Sequence, residues 1–435
     1  MDTKQSIQSK IAEFLKGLGV DQEVVLEVPK DKEHGDLTTN IALKSAKLAS
    51  INPIELAKKI SELFENSTDV SKVEIAGPGF LNFYLNKNIT KSLVNTILAN
   101  PNFGETNTIN QKWLIEHTSP NPNKAMHLGH LRNNVTGMAI ANIAKAAGAD
   151  VTTDAIDNNR GIAIAKLMWG YLKFANKDPS KQIEDIKYWS QNKSEWRTPE
   201  DAGLTSDKFM DSLYVKGSED FKNLEVEQKV RQLVIDWEAE DKITWDLWET
   251  VLNYVYQGQA RTLRRLNSHW DHVWHEHEHY KEGKDIVEKG LEKGIFVKLP
   301  DGAIVTNLKE YKIPDTVVIK KDGTSLYITQ DLALTKKKID KFNPDKIFWV
   351  IGPEQSLAMN QVFAVSNQLG FGPLDKFVHI AYGFISNKSK GKMSSRAGNV
   401  IYIDDLLDNA RETVIEKIKN ETLTQEQKLD VAEKV

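Results

Sequence analysis

The hydrophobic pattern of the first hundred residues is typical of a small α+β domain. An amphipathic helix pattern opens the chain, and "VVLEVP" and "VEIAGPGFLNFYL" predict a strand and a pair of strands joined at "GPG". Asn52 and Pro53 have the residue types of a helix N-cap and a first helical position. The turn-rich stretch 100–110 is typical of a linker, so we expect this domain to occupy residues 1–105.

Beyond the linker, the pattern changes to alternating strands and helices. The strand "KWLIEH" is followed by a polar loop, a helix ending at Gly148 and the strand "DVTTDAI". This βαβ unit predicts a parallel sheet. Further strands are predicted at "DTVVIK", "SLYIT", "KIFWVIG" and "FVHIAYG", the third apolar enough to be buried on both faces. The residues that recur at helical spacing in the helix are Leu131, Val135, Met138, Ala139, Asn142, Ile143 and Ala146.

Two later regions depart from this alternation. Between about residues 175 and 300 the chain is polar, contains tryptophans and has a helical pattern, which predicts an insertion between two halves of one sheet. The end of the chain is charged and helical, with Thr424 and Gln427 as a capping-box pair and no helix-stopping residue after them. We expect a doubly wound α/β domain over 106–400, then a helical region, 401–435, that the sequence does not complete.

Composition narrows the class of protein. The 435 residues suit two or three domains. The absence of cysteine excludes disulfides and thiolate metal sites and favours the cytoplasm. No apolar run approaches the roughly 18 residues that a membrane span needs. The net charge of −4 gives no overall attraction to nucleic acid, although a local basic groove is compatible with it.

The segment "HLGH" begins the predicted helix and has residue types suited to phosphate chemistry. His127 and His130 lie three apart, on one face of the first turn, and Gly129 leaves room for a flat ring or a phosphate to approach the backbone. Imidazoles there can donate hydrogen bonds to phosphoryl oxygens, each typically worth about 3 kcal/mol in a transition state. On its own, such a pair is more often a cap or a surface feature.

A second segment, "GKMSSRAGN" at 391–399, combines a lysine and an arginine with glycines and serines. Such a cationic loop offers hydroxyl and backbone donors to a phosphate tail that must be gripped and released. Alone, it is equally typical of a flexible surface loop. The two segments together, one in each half of a parallel sheet, are harder to explain by chance.

These segments resemble the HIGH and KMSKS motifs of class I aminoacyl-tRNA synthetases. The longer stretches "EHTSPNPNKAMHLGHLRN", "HGDLTTNIAL", "IAGPGFLNFYL", "LYITQDLA" and "GKMSSRAGNV" resemble the arginyl-tRNA synthetases, over essentially the whole chain. The resemblance implies a Rossmann-like (HUP) catalytic domain, an N-terminal domain that contacts tRNA, and a C-terminal anticodon-binding bundle. This sequence ends where that bundle is expected to begin, so we expect a fragment, the alternative being a protein that reads tRNA without the bundle. We expect such a piece to bind ATP and arginine yet to charge tRNA poorly.

The resemblance also implies a two-step reaction. Arginine and ATP give arginyl-adenylate, and the arginyl group then passes to tRNA(Arg), assisted by Mg²⁺ that arrives with ATP and with no protein-bound metal. His127 and His130 would stabilise the phosphates. The residues implied in ATP binding are Gly129, His127, His130, Gly352, Lys392, Met393, Ser394 and Ser395. We expect a cytoplasmic monomer without a membrane partner.

One departure from the family pattern concerns the catalytic lysine that ends KMSKS. Ser395 stands in its place, followed by Arg396. Synthetases of this type that lack this lysine use one just ahead of the HIGH motif, where Lys124 stands. The resemblance therefore implies that Lys124, together with Lys392, acts on the phosphates, while a solvated loop lysine is the alternative.

Arginine selection calls for carboxylates, because a guanidinium is always charged and is best held by bidentate acids. Glu116 ends the first strand and is expected to face the crevice, and Asp331 is expected just past the strand "LYIT". By resemblance, the arginine pocket consists of Glu116, Asn121, Tyr327, Asp331 and Gln355. Gln330 replaces an arginine that family members often carry there, which leaves the local charge balance open.

Three alternatives come from other classes of protein. "HWDHVWHEHEHY" contains the HExxH pattern of zinc proteases, from His275 to His279. Its flanks predict an exposed loop and a surface helix, so we favour a solvated histidine-rich patch. A nucleotidyltransferase with an HxGH helix start would consume ATP without depending on tRNA. A non-catalytic synthetase paralogue would keep the fold as a binding module.

Overall fold

The computed structural model describes residues 3–324, 326–383, 386–387, 391–392, 400–419 and 422–435. The chain divides into two compact units, Met1–Glu105 and Thr106–Val435. None of the helices in the described ranges is both long and apolar enough to cross a membrane.

The first unit contains helices and an antiparallel sheet. Its helices are α1 (Thr3–Gly17), α2 (Ile41–Ala49), α3 (Pro53–Glu62) and α4 (Lys87–Ala99), and its strands are β1 (Leu37–Thr39), β2 (Val70–Ala76) and β3 (Phe80–Leu85), in the order β1-β3-β2. As predicted, Asn52 caps α3, because its side chain accepts a 2.9 Å hydrogen bond from the amide of Ile54. The strand predicted at "VVLEVP" is wrong. Only Glu27 bridges to Thr38, while Val24 and Leu26 pack into the core without forming a ladder.

The second unit is built around a parallel sheet of five strands, β11-β10-β4-β5-β6. Its strands in chain order are β4 (Lys112–Glu116), β5 (Asp150–Asp157), β6 (His272–His275), β7 (Phe296–Lys298), β8 (Ile304–Thr306), β9 (Val317–Ile319), β10 (Lys346–Ile351), β11 (Phe377–Ala381), β12 (Ser386–Asn387) and β13 (Gly391–Lys392). The order reverses between β4 and β10, which makes the carboxyl ends of these strands the switch-point crevice of a doubly wound sheet. The predicted α/β fold class is confirmed, and β10 is buried on both faces as expected.

The helices of this unit are α5 (Leu128–Ala146), α6 (Ile162–Phe174), α7 (Ile186–Gln191), α8 (Ser206–Asp220), α9 (Leu224–Glu238), α10 (Lys242–Arg265), α11 (Glu276–His279), α12 (Gly283–Glu292), α13 (Tyr327–Phe342), α14 (Ser356–Gln368), α15 (Ile403–Lys417) and α16 (Gln425–Lys434). Helices α6 to α10 share one hydrophobic core, in which Trp169, Trp189 and Trp196 are fully buried. The capping box of α16 forms as predicted, with Thr424 and Gln427 bonded reciprocally.

Three expectations from the sequence need correction in this unit. "SLYIT" is not a strand, because Tyr327 begins α13. "DTVVIK" does form β9, but β9 belongs to a separate antiparallel sheet, β7-β8-β9. The stretch around "HVWH", interpreted as an exposed loop, forms β6 of the parallel sheet. Its Trp274 is buried and donates a 2.8 Å hydrogen bond to Asp154.

Helix α5 faces the sheet with small residues. Asn134, Gly137, Ala141 and Ala144 are buried, whereas Val135 and Ile143, from the apolar series in the sequence, are 50% and 69% exposed. A Cβ on Gly137 would lie 2.3 Å from the Cβ of His117, so glycine allows the helix to approach β4 closely. This close contact fixes α5 directly behind the switch-point crevice.

Candidate active site

The turn that begins α5, residues 127–130, is capped by its own histidines. His127 is the N-cap, and its Nδ1 accepts a 3.1 Å hydrogen bond from the amide of Gly129. The amide of His127 in turn donates to Nδ1 of His130, also at 3.1 Å. The two rings stack with their centroids 3.9 Å apart. Ring nitrogens thus satisfy two helix-start amides that a serine or aspartate usually caps.

These histidines are neutral at physiological pH. Burial, reinforced by the charge of Lys124, lowers the pKa of His127 to about 4. Burial also lowers the pKa of His130 well below its usual value. Since Nδ1 of each ring accepts a hydrogen bond, the proton of each neutral ring is on Nε2. The turn therefore has two uncharged Nε2–H donors, side by side.

A later segment of the chain pairs with this turn. The amide of Leu128 donates to the carbonyl of Ile401 at 2.9 Å, and the amide of Ile403 donates to the carbonyl of Met126 at 3.1 Å. Residues 401–403 come directly after the "GKMSSRAGNV" motif, so the structure joins the neighbourhoods of the two motifs. Met393, Ser394 and Ser395 lie outside the described residues. Lys392 is described only as a backbone position of β13, opposite Ser386.

Asn133, which sequence analysis missed, connects α5 to both strands of the switch point. Its Oδ1 accepts a 2.9 Å hydrogen bond from the amide of Thr118, just after β4. Its Nδ2 donates to the carbonyl of Val350 in β10 at 2.9 Å and to the hydroxyl of Tyr382 at 3.2 Å. Thr118 has a φ of +54°, which is strained for a β-branched residue. The only signal in the sequence was an adjacent pair of asparagines, Asn133 and Asn134, inside a predicted helix.

Gln259 holds the loop between β4 and α5 from the helical side. This buried side chain of α10 donates to the carbonyls of Asn121 and Lys124, both at 3.2 Å. Asn121 is exposed, and its side chain accepts a 3.1 Å hydrogen bond from Asn158. Gln259 lies within the predicted insertion, and nothing in its local sequence indicates that it reaches the loop.

Glu116 does not face an open crevice as expected. It is 3% exposed, and its Oε2 lies 2.6 Å from Nζ of Lys338 in α13. The same ammonium group lies 2.8 Å from Oδ2 of Asp154 in β5. Although burial opposes it, these two carboxylates raise the pKa of Lys338. The cluster therefore holds two acids and one internal cation.

Asp331 lies one turn into α13 rather than after a strand. Burial, and next the nearby charge of Glu116, raise the pKa of Asp331 to about 7. The structure thus brings Asp331 into the electrostatic environment of Glu116.

Tyr327 is 82% exposed at the start of α13. Gly352, at the end of β10, is buried, and Gln355 of the short 3₁₀ turn after it is exposed.

The histidine-rich stretch is not a solvated patch. His275 ends β6 and places Nδ1 2.7 Å from Oδ2 of Asp157, whereas His279 is 4% exposed in α11. His275 precedes the helix, so the two histidines do not share a helix face as the zinc-protease pattern requires. Within the described ranges, no group of three His, Cys, Asp or Glu side chains could hold a metal ion.

Comparison with known proteins gives consistent results. The family described as "Arginyl tRNA synthetase N terminal domain" matches residues 2–85, and "tRNA synthetases class I (R), catalytic domain" matches residues 93–435. The arginine–tRNA ligase of Treponema denticola is 33% identical over 437 residues, covering 96% of this chain and 70% of its own length. That of Borreliella burgdorferi is 30% identical over 453 residues, covering 99% and 73%.

Solved structures show the same fold. The arginyl-tRNA synthetase of Thermus thermophilus superimposes with a TM-score of 0.61 at 20% sequence identity, covering 99% of this chain and 73% of that chain. The Plasmodium falciparum enzyme does so with a TM-score of 0.60 at 14% identity. The chain thus spans about 70% of the length of the relatives it matches.

Proposed function

The chain belongs to the class I arginyl-tRNA synthetases, enzymes that join arginine to tRNA, and we propose that its HLGH turn is the site of arginine activation. In that step the carboxylate of arginine attacks the α-phosphate of ATP, giving arginyl-adenylate and pyrophosphate. The arginyl group then passes to the terminal adenosine of tRNA(Arg). The observation that carries the proposal is the reciprocal capping of His127 and His130, which directs two neutral donors from one helix start.

These donors suit a phosphate that gains charge and then leaves. Nε2–H of His127 and of His130 donate to phosphoryl oxygens as negative charge develops, which stabilises the transition state more than the bound substrate. Lys124 supplies the positive charge that Ser395 does not, and Gly129 leaves space for the adenine. Further ATP contacts are assigned to Gly352, Lys392, Met393 and Ser394.

We assign the guanidinium of arginine first to Asp331. A guanidinium is best held by a carboxylate, and Glu116 already shares its carboxylate with Lys338. In this assignment Glu116 acts on the guanidinium through its negative charge, without a direct bidentate contact. Asn121, Tyr327 and Gln355 complete the proposed arginine site.

The remaining roles follow from the chemistry of the substrates. Mg²⁺ enters as MgATP with phosphate oxygens as ligands. We assign tRNA contact to residues 1–105, catalysis to 106–400 with a helical insertion at about 175–300, and a helical region to 401–435. We propose a cytoplasmic monomer.

ATP–pyrophosphate exchange, run with and without arginine and tRNA(Arg), tests this function. Exchange that requires arginine supports it. Exchange driven by another substrate, without any need for arginine, points to a different nucleotidyltransferase, an alternative that the curated relatives do not favour. Absence of exchange with every substrate present, in a chain that retains its fold, contradicts the proposal.

A further inference from the structure

Asp404 is a buried carboxylate held by three donors from one helix. It lies in the first turn of α15 and is 7% exposed. Its Oδ2 accepts from Nη2 of Arg261 at 2.6 Å and from the hydroxyl of Thr262 at 2.7 Å, and its Oδ1 accepts from Nη1 of Arg265 at 2.9 Å. All three donors belong to the last turns of α10, so this carboxylate fixes the start of α15 against α10.

The segment just before Asp404 supports the HLGH turn. Residues 401–403 make the two backbone hydrogen bonds that enclose the turn, from Leu128 to Ile401 and from Ile403 to Met126. Between these bonds, His127 and Tyr402 lie opposite each other as a β-bridge. A shift of residues 401–403 therefore moves the backbone from which the ring of His127 extends.

A second contact holds the same segment from the side of α8. The hydroxyl of Tyr402 donates a 2.9 Å hydrogen bond to Oδ2 of Asp211. The segment thus lies between the helical cluster on one side and the HLGH turn on the other. Among the described residues, Asp404 gives this segment its only anchor that is buried, charged and held by three side-chain hydrogen bonds.

We propose that Asp404 is a positioning residue for arginine activation: through residues 401–403 it fixes His127, and with it His130, in the reciprocally capped arrangement that keeps the proton of each ring on Nε2. This inference rests on the function proposed for the turn. An acid in the first turn of a helix commonly acts only by favouring the helix dipole. Asp405 stands in the same turn and does this with a half-exposed side chain, so the dipole leaves the three side-chain hydrogen bonds of Asp404 unexplained.

The direct test follows the two histidine rings by NMR. The chain is labelled with ¹⁵N-histidine, and the signals of positions 127 and 130 are assigned with His127→Ala and His130→Ala. Asp404→Asn replaces an accepting oxygen by an amide NH₂ group, which cannot accept the hydrogen bonds of the arginine donors. We therefore expect the ¹⁵N signals of both rings to shift. We also expect them to lose the pattern typical of a neutral ring with its proton fixed on Nε2. His34, in the other compact unit, is the internal reference. Unchanged signals at 127 and 130 in a folded variant would overturn the proposal.

Two further variants make the test independent of global stability. Asp408→Asn removes a half-exposed carboxylate of the same helix that also pairs with Arg265, at 3.1 Å, and we expect it to leave both histidine signals in place. Thr262→Val removes only one hydrogen bond to Asp404 and is expected to shift them in the same direction by a smaller amount. Equal shifts in Asp408→Asn and Asp404→Asn would contradict a specific role.

Kinetics then separate positioning from a loss of folded protein. We expect Asp404→Asn to lower kcat/KM for ATP about tenfold in the exchange assay, since small misplacements of catalytic groups have effects of this size, with KM for arginine unchanged. A rise in KM for arginine with kcat unchanged would contradict positioning. If the wild type performs no exchange, the proposed function fails, while the histidine spectrum still decides whether Asp404 orients the turn.

Discussion

The ammonium group of Lys338 lies 2.6 Å from the carboxylate of Glu116, and the two side chains are 1% and 4% exposed. Lys338→Met would leave Glu116 and Asp154 buried without their cation. Breaking a buried pair in this way typically costs about 3 to 5 kcal/mol of the free energy of unfolding, measurable by urea denaturation. The neighbouring Lys337→Met removes an exposed pair with Glu282 and should cost less than about 1 kcal/mol. Equal losses in the two variants would show that the buried cluster does not stabilise the fold.

The raised pKa of Asp331 predicts a pH-dependent stability. Its pKa of about 7 in the folded state exceeds its usual value of 3.8, so the folded chain holds a proton that the unfolded chain releases. This contribution to stability is fully present below about pH 4 and is lost as the pH rises towards and through about 7. Asp331→Asn should therefore gain stability relative to the wild type between pH 5 and pH 8. Asp340→Asn, exposed on the same helix, should show no such trend.

Loss of either histidine of the turn should impair activation. We expect His127→Ala and His130→Ala to lower the exchange rate by roughly 10²- to 10³-fold each, as for the loss of one transition-state donor. His269→Ala, at an exposed position, is the control and should retain the wild-type rate. Near-normal exchange in His130→Ala would remove the turn from the mechanism.

The neutrality of the turn gives a separate prediction about pH. Because the pKa of His127 is about 4, neither ring of the turn gains a proton between pH 6 and pH 8. We expect kcat at saturating arginine to show no ionisation with the ordinary histidine pKa of about 6.5. A step in kcat near that pH, absent from His127→Ala, would mean that the ring titrates normally.

Lys124 is predicted to replace the missing lysine of the second motif. Lys124→Ala should lower exchange by about 10- to 100-fold, because it removes a positive charge that acts on both histidines of the turn from a site where charge stabilisation is large. Lys145→Ala, exposed in the last turn of α5, is the matched control. Full activity in Lys124→Ala would transfer the role to Lys392 or Arg396.

Short-range chemistry was predictable from the sequence, and long-range packing was not. The helix start at His127 and the buried run of β10 depend on neighbouring residues, and both were predicted correctly. The assignment of "SLYIT" as a strand failed because tyrosine and isoleucine favour strands, whereas the segment is the start of α13, whose Leu332 packs into the hydrophobic core. The apolar series in α5 differs from its buried face because Gly137 and Ala141 pack closely without being strongly hydrophobic.

The site shows the same division. The resemblance to the family indicated Glu116 and Asp331, but not the partner of Glu116, since Lys338 lies 222 positions away in the sequence. Asn133 and Gln259 are uncharged and belong to no catalytic pattern, so only the folded chain shows that they hold the loops together. The residue-by-residue roles of the candidate site remain predictions for the assays above.

The sheet order has a consequence for synthesis on the ribosome. β4 lies at the centre of the sheet, yet its neighbour β10 is encoded far downstream: the amide of Lys112 bonds to Asp345 across 233 positions. At typical rates of translation, β10 emerges roughly 10 to 50 seconds after β4. During that interval one edge of the most central strand has no native partner, although β5 covers the other edge sooner. The nascent chain is therefore most exposed to mispairing and aggregation, and most in need of chaperones, while α6 to α10 are being made.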